Sequence, residues 1–242
     1  AISSKKGINY VRLMPRTFQT NFEWIKTLKF CSNKFEILED FVFKGLSQLV
    51  YLKLQFNEIS EIKPNAFKGL DNLQELYLNE NCLTFLPPNV FVHLKKLTKL
   101  DLSSNKFEQH FDEGIFEGLD SLRDLDINGN IISKLDKFPP LHNLTRLSLI
   151  ENDLEILSPH TLENLNNLIE LDLSSNKIKK IDEHAFCGLT SLKYLALDNN
   201  QLGEIDSCVF LNMNKLRVLT LYENENASID ERTYELPDIL EV

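Results

Sequence analysis

The chain has no long apolar run. None of its segments approaches the roughly eighteen consecutive apolar residues that a membrane-spanning helix needs. Its opening, AISSKKGINYVRL, lacks the apolar core of a signal peptide and lacks an initiator methionine. The expectation is a mature chain whose leader has been removed, with a cytosolic protein as the alternative. Basic excess is missing too: the net charge is −10 and the pI near 5.1. Nucleic-acid binding relies on a basic stripe, so that class is set aside. Glycine is scarce, at eight residues in 242, and no glycine-rich phosphate loop occurs. Neither G-x-S-x-G nor H-E-x-x-H is present. His110 and Asp112, in "HFDE", supply only two ligands on an irregular loop, too few for a metal site. No enzyme, metal or cofactor is expected.

What is present is a repeat. "LTKLDLSSNKF" (97–107) returns almost unchanged as "LIELDLSSNKI" (168–178), 71 positions later. With the first leucine as position 1, the pattern L-x-x-L-x-L-x-x-N-x-L runs through the chain. Asparagine at position 9 falls at Asn33, Asn57, Asn81, Asn105, Asn130, Asn152, Asn176, Asn200 and Asn224, with gaps of 24, 24, 24, 25, 22, 24, 24 and 24. A phenylalanine recurs at position 19, as Phe43, Phe67, Phe91, Phe116, Phe186 and Phe210; Leu162 and Tyr234 stand there in two other repeats. The L-x-L core is a half-buried strand with alternating faces. The asparagine sits where the chain leaves the strand, and its amide can satisfy turn groups that would otherwise be buried unpaired. The phenylalanine fills the space behind the sheet. One repeat buries too little apolar surface to order itself, so stability depends on neighbours.

These residues, clearest in "LQELYLNENCLTFLPPNVFVHLKK" (73–96), resemble the leucine-rich-repeat superfamily, specifically the typical 24-residue class of animal extracellular proteins such as Toll-like receptor ectodomains, Slit-type proteins and secreted insect immune proteins. The resemblance implies an α/β repeat fold: a right-handed solenoid with a concave parallel β-sheet and a convex side of loops and short helices. It implies residues 1–24 as a degenerate N-terminal repeat or cap and 25–242 as the solenoid, with strand-bearing repeats starting at 25, 49, 73, 97, 122, 144, 168, 192 and 216. Neither end carries the cysteine-rich cap common in the family. The polar last repeat, from Leu216, serves as the cap or marks a cut from a longer protein. The repeat starting at Leu122 is short, lacks a phenylalanine at position 19 and carries Pro139-Pro140 in its place.

Cys187 and Cys208 lie on successive coils at positions 20 and 17, close enough for a disulfide. Cys31 and Cys82, two repeats apart, are too distant for one; Cys31, at position 7, is a candidate for pairing with a second chain. All four as small core residues is the alternative. Asn143 and Asn226 begin N-x-S/T sequons outside the ladder and are candidate glycosylation sites.

Positions 3, 5 and 7 point away from the core. Tyr51, Phe56 and Tyr77 gather as exposed aromatics on adjacent strands, beside the carboxylates Asp101, Asp124, Asp126, Glu170 and Asp172. Aromatic residues are preferred interface anchors, and like charges on neighbouring strands repel until a basic partner relieves them. Tyr194 and Tyr222 form a second candidate. The expected function is a non-enzymatic extracellular recognition module, binding a protein ligand or co-receptor through its concave face in innate immunity or cell adhesion. An intracellular scaffold or regulatory subunit is the alternative.

Overall fold

The computed structural model describes residues 2–3, 12–13, 22, 24–108, 114–135, 137–211, 213–225 and 228–229. The chain divides into two compact units, residues 1–107 with 112–125, and 126–242 with 108–111. Each is a parallel-strand solenoid.

In the first unit, three-residue strands Thr27–Lys29, Tyr51–Lys53, Glu75–Tyr77 and Lys99–Asp101 lie side by side in strict parallel register: Leu28 opposite Leu52, Leu52 opposite Leu76, Leu76 opposite Leu100. Ile2–Ser3 pairs with the first of them. The central leucine of each strand turns inward and is fully buried. Behind them Phe43, Phe67, Phe91 and Phe116 stack with ring centroids 6.2, 5.8 and 6.5 Å apart. This spacing is set by the distance between coils, since each ring moves up one repeat.

The second unit repeats the scheme with Arg146–Ser148, Glu170–Asp172, Tyr194–Ala196 and Val218–Thr220. Leu147, Leu171, Leu195 and Leu219 form its buried column, and Phe186 stacks on Phe210 at 6.5 Å. The short repeat does have an aromatic core residue: Phe138 is buried. It stands at position 17 because two residues are missing before it, and its N–H is held by the carbonyl of Thr161 at 2.8 Å. Position 19 itself holds Pro140, and Phe138 fills the core from two positions earlier.

The return segments differ from the expected short helices. They are turns and a second set of two-residue parallel strands: Arg12–Leu13, Ile37–Leu38 and Glu61–Ile62 in the first unit, Ile156–Leu157 with Lys180–Ile181 and Glu204–Ile205 with Ser228–Ile229 in the second. Among the described residues the helical exception is one 3-10 turn, Ser207–Phe210, capped by Asp206, whose carboxylate accepts from Cys208 N. A 24-residue coil leaves little length for a helix once two strands and the turn have been formed.

The asparagines make a repeated bond set. Asn105 Nδ2 donates to Leu78 O, Leu102 O and Ser103 O at 3.0, 3.1 and 3.2 Å, while its Oδ1 accepts from Leu83 N at 3.0 Å. Asn57, Asn81, Asn176 and Asn200 make the same contacts. Each rung therefore binds its own turn and the coil before it, and these side chains are buried. The turn after the phenylalanine needs glycine at Gly188. Its φ is +90°, and a Cβ there would stand 2.1 Å from Glu163 O.

Candidate recognition face

On the first unit the outward residues of the sheet form two rows. One runs Thr27, Tyr51, Glu75, Lys99; the other runs Lys29, Lys53, Tyr77, Asp101. They are wired to one another. Tyr77 donates its hydroxyl to Glu75 at 2.6 Å, and Lys53 Nζ lies 4.3 Å from the Tyr77 ring centroid. Burial first, then the bond to Glu75, pushes the Tyr77 hydroxyl above the usual tyrosine range, so it stays a donor. Lys99 pairs with Asp124 at 2.6 Å, and Asp101 Oδ1 accepts from Ser103 N and Oγ at 3.1 and 2.7 Å. Tyr77 is thus half-buried and engaged, whereas Tyr51 and Phe56 remain exposed, Phe56 at 53%.

Phe56 also has φ +57°, in the left-handed region. Position 8 is left-handed throughout: Ser32, Glu80, Ser104, Gly129, Glu151, Ser175, Asn199 and Glu223 share it. The turn into the ladder asparagine imposes this geometry. Elsewhere polar residues or glycine fill it, and Phe56 is the aromatic among them.

On the second unit the outward carboxylates are again occupied. Arg146 Nε donates to Glu170 at 3.0 Å; Asp126 and Asp172 each accept, at 3.0 Å, the N–H two residues on, from Asn128 and Ser174. Two position-7 side chains reach to the next coil. Asn128 Oδ1 accepts from Ser148 Oγ and Ile150 N, both at 2.7 Å; Asp198 accepts from Thr220 Oγ1 at 2.6 Å and Tyr222 N at 2.8 Å. Their counterparts in the first unit do not: Gln55 Oε1 and Asn79 Oδ1 are buried without a partner. Asn79 faces a coil where Asp101 has taken Ser103 N. Gln55 faces Tyr77, whose hydroxyl goes to Glu75.

A leucine-rich-repeat sequence profile matches residues 23–77, 49–107 and 142–202, and a second such profile matches 96–119, together more than half of the chain. The chain belongs to the leucine-rich-repeat family. Among solved structures, this leucine-rich-repeat chain is similar to the crystal structure of the TLR13–ssRNA13 complex, with 30% identity and a TM-score of 0.80 over 84% of this chain and 29% of that one. It is also similar to the Toll–Spatzle complex of Drosophila, with 24% identity and a TM-score of 0.70 over 89% of this chain and 32% of that one. The chain therefore spans about a third of the length of each. No curated protein matches it as a relative. The repeat class is the 24-residue, animal extracellular type of the Toll ectodomains.

In this leucine-rich-repeat frame the expected site residues fall in two groups. Tyr51, Phe56, Tyr77, Asp101 and Asp124 lie in the first unit; Asp126, Glu170 and Asp172 lie in the second. The repulsion expected among the carboxylates is already relieved within the chain, by Lys99, Arg146 and backbone N–H groups. No disulfide joins Cys187 to Cys208, and both stand as half-buried thiols. Cys31 is also a thiol; burial pushes its pKa up against the lowering effect of Lys53, so its thiolate is scarce. Asn143 is exposed; Asn226, His110 and Tyr234 lie outside the described residues.

Sequence reasoning missed the position-7 bridges and the left-handed position 8. The second had a signal: Gly129, serine, glutamate and asparagine recur just before the ladder residue.

Proposed function

We propose that this chain is a non-enzymatic recognition module of an extracellular protein, binding a protein partner through the outer face of its sheet, in innate immunity or cell adhesion. Phe56 carries the reading. A large aromatic ring, half in water and held in a left-handed backbone position, works against the folded state on both counts. Its use is a contact with another molecule, for which exposed aromatics are the favoured anchors. Tyr51, exposed at position 3 of the same repeat, extends that surface.

Charge favours a protein over RNA. TLR13 was crystallised with an ssRNA, but Asp101, Asp124 and a net charge of −10 make this chain repel phosphates. The extracellular setting is supported by the repeat class and by the exposed sequon at Asn143, which has room for a glycan. Sheet-face carboxylates, including Asp126, Glu170 and Asp172, set the partner's complementary charge.

The test is capture of partners from native extracellular fluid by wild-type protein, Phe56→Ser and Phe85→Ser. Phe85 is equally exposed but lies in a return segment. Phe56→Ser is expected to melt at the same or a higher temperature and to lose the captured protein, while Phe85→Ser retains it. Equal recovery by all three overturns the assignment of Phe56.

A further inference from the structure

The second unit carries a hollow of 360 Å³ on its sheet face, lined by Leu171, Leu195, Ala196 and Val218 with Tyr194, Asp172, Glu170 and Thr220 around it. Its origin lies in one residue. Register puts Asp172, Ala196 and Thr220 in one row and Glu170, Tyr194 and Val218 in the row beside it. Position 5 carries lysine, tyrosine, aspartate, serine or threonine in the other repeats and alanine only here. The short side chain of Ala196 leaves a gap between coils about 5 Å apart, floored by its own methyl group and the strand backbone, with Val218 and the Tyr194 ring beside it, since Leu171 and Leu195 turn their side chains inward.

We infer that this hollow is a subsite for an arginine side chain of a protein partner. This deepens the recognition function proposed for the sheet face and rests on it. The floor suits an aliphatic stem, which covers apolar surface while its charged head seeks a counter-charge. Asp172 supplies that charge. Its Oδ1 accepts from Ser174 N at 3.0 Å, and no cation pairs with it among the described residues. Glu170 is already held by Arg146, so the chain itself pairs one carboxylate of this strand with a guanidinium and leaves the other without a cation. Tyr194, 46% exposed, stands in the adjoining row as an aromatic face for a planar cation. The Thr220 hydroxyl is committed to Asp198 and so does not compete for Asp172. A neutral aliphatic group would fill the floor and leave Asp172 unmatched. An acidic one would meet Asp172 and Glu170 with like charge.

The experiment is amide NMR of the full chain titrated with N-acetyl-arginine amide, N-acetyl-norleucine amide and N-acetyl-glutamate amide. Millimolar arginine amide is expected to shift the amides of Leu171, Leu195, Ala196 and Val218, with norleucine amide at least about fivefold weaker and glutamate amide without effect. Ala196→Phe, which fills the hollow, should abolish the arginine shifts. Asp172→Asn, which keeps an oxygen for Ser174 N, should weaken arginine about fivefold and leave norleucine unchanged. Phe56→Ser should leave all of these unchanged, so failure here and failure of the Phe56 assignment are separate results. No shift at these amides, equal shifts from all three compounds, or arginine shifts that survive Ala196→Phe overturn the inference.

Discussion

In the second unit two position-7 side chains accept bonds from the next coil; in the first, two others keep an oxygen that finds no donor there. Asn128 and Asp198 each accept a hydroxyl and a backbone N–H from the following repeat. Gln55 and Asn79 occupy the same place and keep a buried oxygen without a donor. The backbone is the same in both. What differs is the residue at position 5 of the following coil: serine and threonine offer a hydroxyl, whereas aspartate takes the N–H for itself and tyrosine donates elsewhere. A repeat can thus preserve its core and still lose bonds on its displayed face. The face with the orphaned oxygens is also the one that carries Phe56 in a left-handed position. Features that reduce folding stability concentrate where the proposed contact lies.

The largest expected effect is in the glycine column that both units share. Gly69 and Gly188 have φ values of +95° and +90°. A Cβ at Gly69 would meet nothing within 4 Å, but at Gly188 it would strike Glu163 O at 2.1 Å. Gly188→Ala should therefore cost about 4 kcal/mol, from strain and backbone displacement together, and Gly69→Ala about 1 kcal/mol from strain alone. Urea unfolding midpoints measure both, and equal losses would mean that the two turns are packed alike. Next comes the ladder. Asn105→Ala orphans carbonyls and an N–H in a buried site and should cost about 3 kcal/mol. Asn224 makes a similar set half-exposed to water, and Asn224→Ala should cost about 1 kcal/mol.

The core was legible in the sequence because it is periodic. Leu76 and Leu100 are 24 residues apart, as are Asn81 and Asn105, and every coil buries the same positions. Phe138 escaped because a two-residue deletion moved it out of register. The return strands escaped because a two-residue element such as Ile37–Leu38 is too short to show alternation. At the candidate site, the outward positions could be read but their wiring could not. Lys99 and Asp124 are 25 residues apart, and Asn128 and Ser148 are 20 apart in a repeat of irregular length. Such pairs emerge only when the register between coils is known. For the same reason carboxylates that looked crowded along the sequence turn out each to accept from a donor within the chain, a side-chain cation for Asp124 and Glu170 and a backbone N–H for Asp101, Asp126 and Asp172.

Removing the position-7 side chain should separate the units. Asp198→Ala deletes the acceptor for Thr220 and Tyr222 N and is expected to cost about 2 kcal/mol. Asn79→Ala removes an oxygen that has no donor, so its effect should stay within about 0.5 kcal/mol of zero. Thermal unfolding of the two variants decides it. A large loss at Asn79 would mean that its oxygen has a donor after all.

The finest distinction comes from giving the first unit what the second has. Asp101→Thr would release Ser103 N and offer a hydroxyl toward Asn79 Oδ1, reproducing the way Thr220 and Tyr222 N serve Asp198. It should stabilise the chain by about 1 kcal/mol, with slower exchange of the Ser103 amide as the local signature. The matching change in the second unit, Asp172→Thr, provides the control. There the preceding position 7 is Ile150, which has no side-chain oxygen to receive the freed N–H of Ser174. That variant gains no bond and loses one, so it should be neutral or slightly destabilised. If both substitutions stabilise, relief of negative charge is responsible. If only Asp101→Thr does, the unmatched oxygen of Asn79 is the cause.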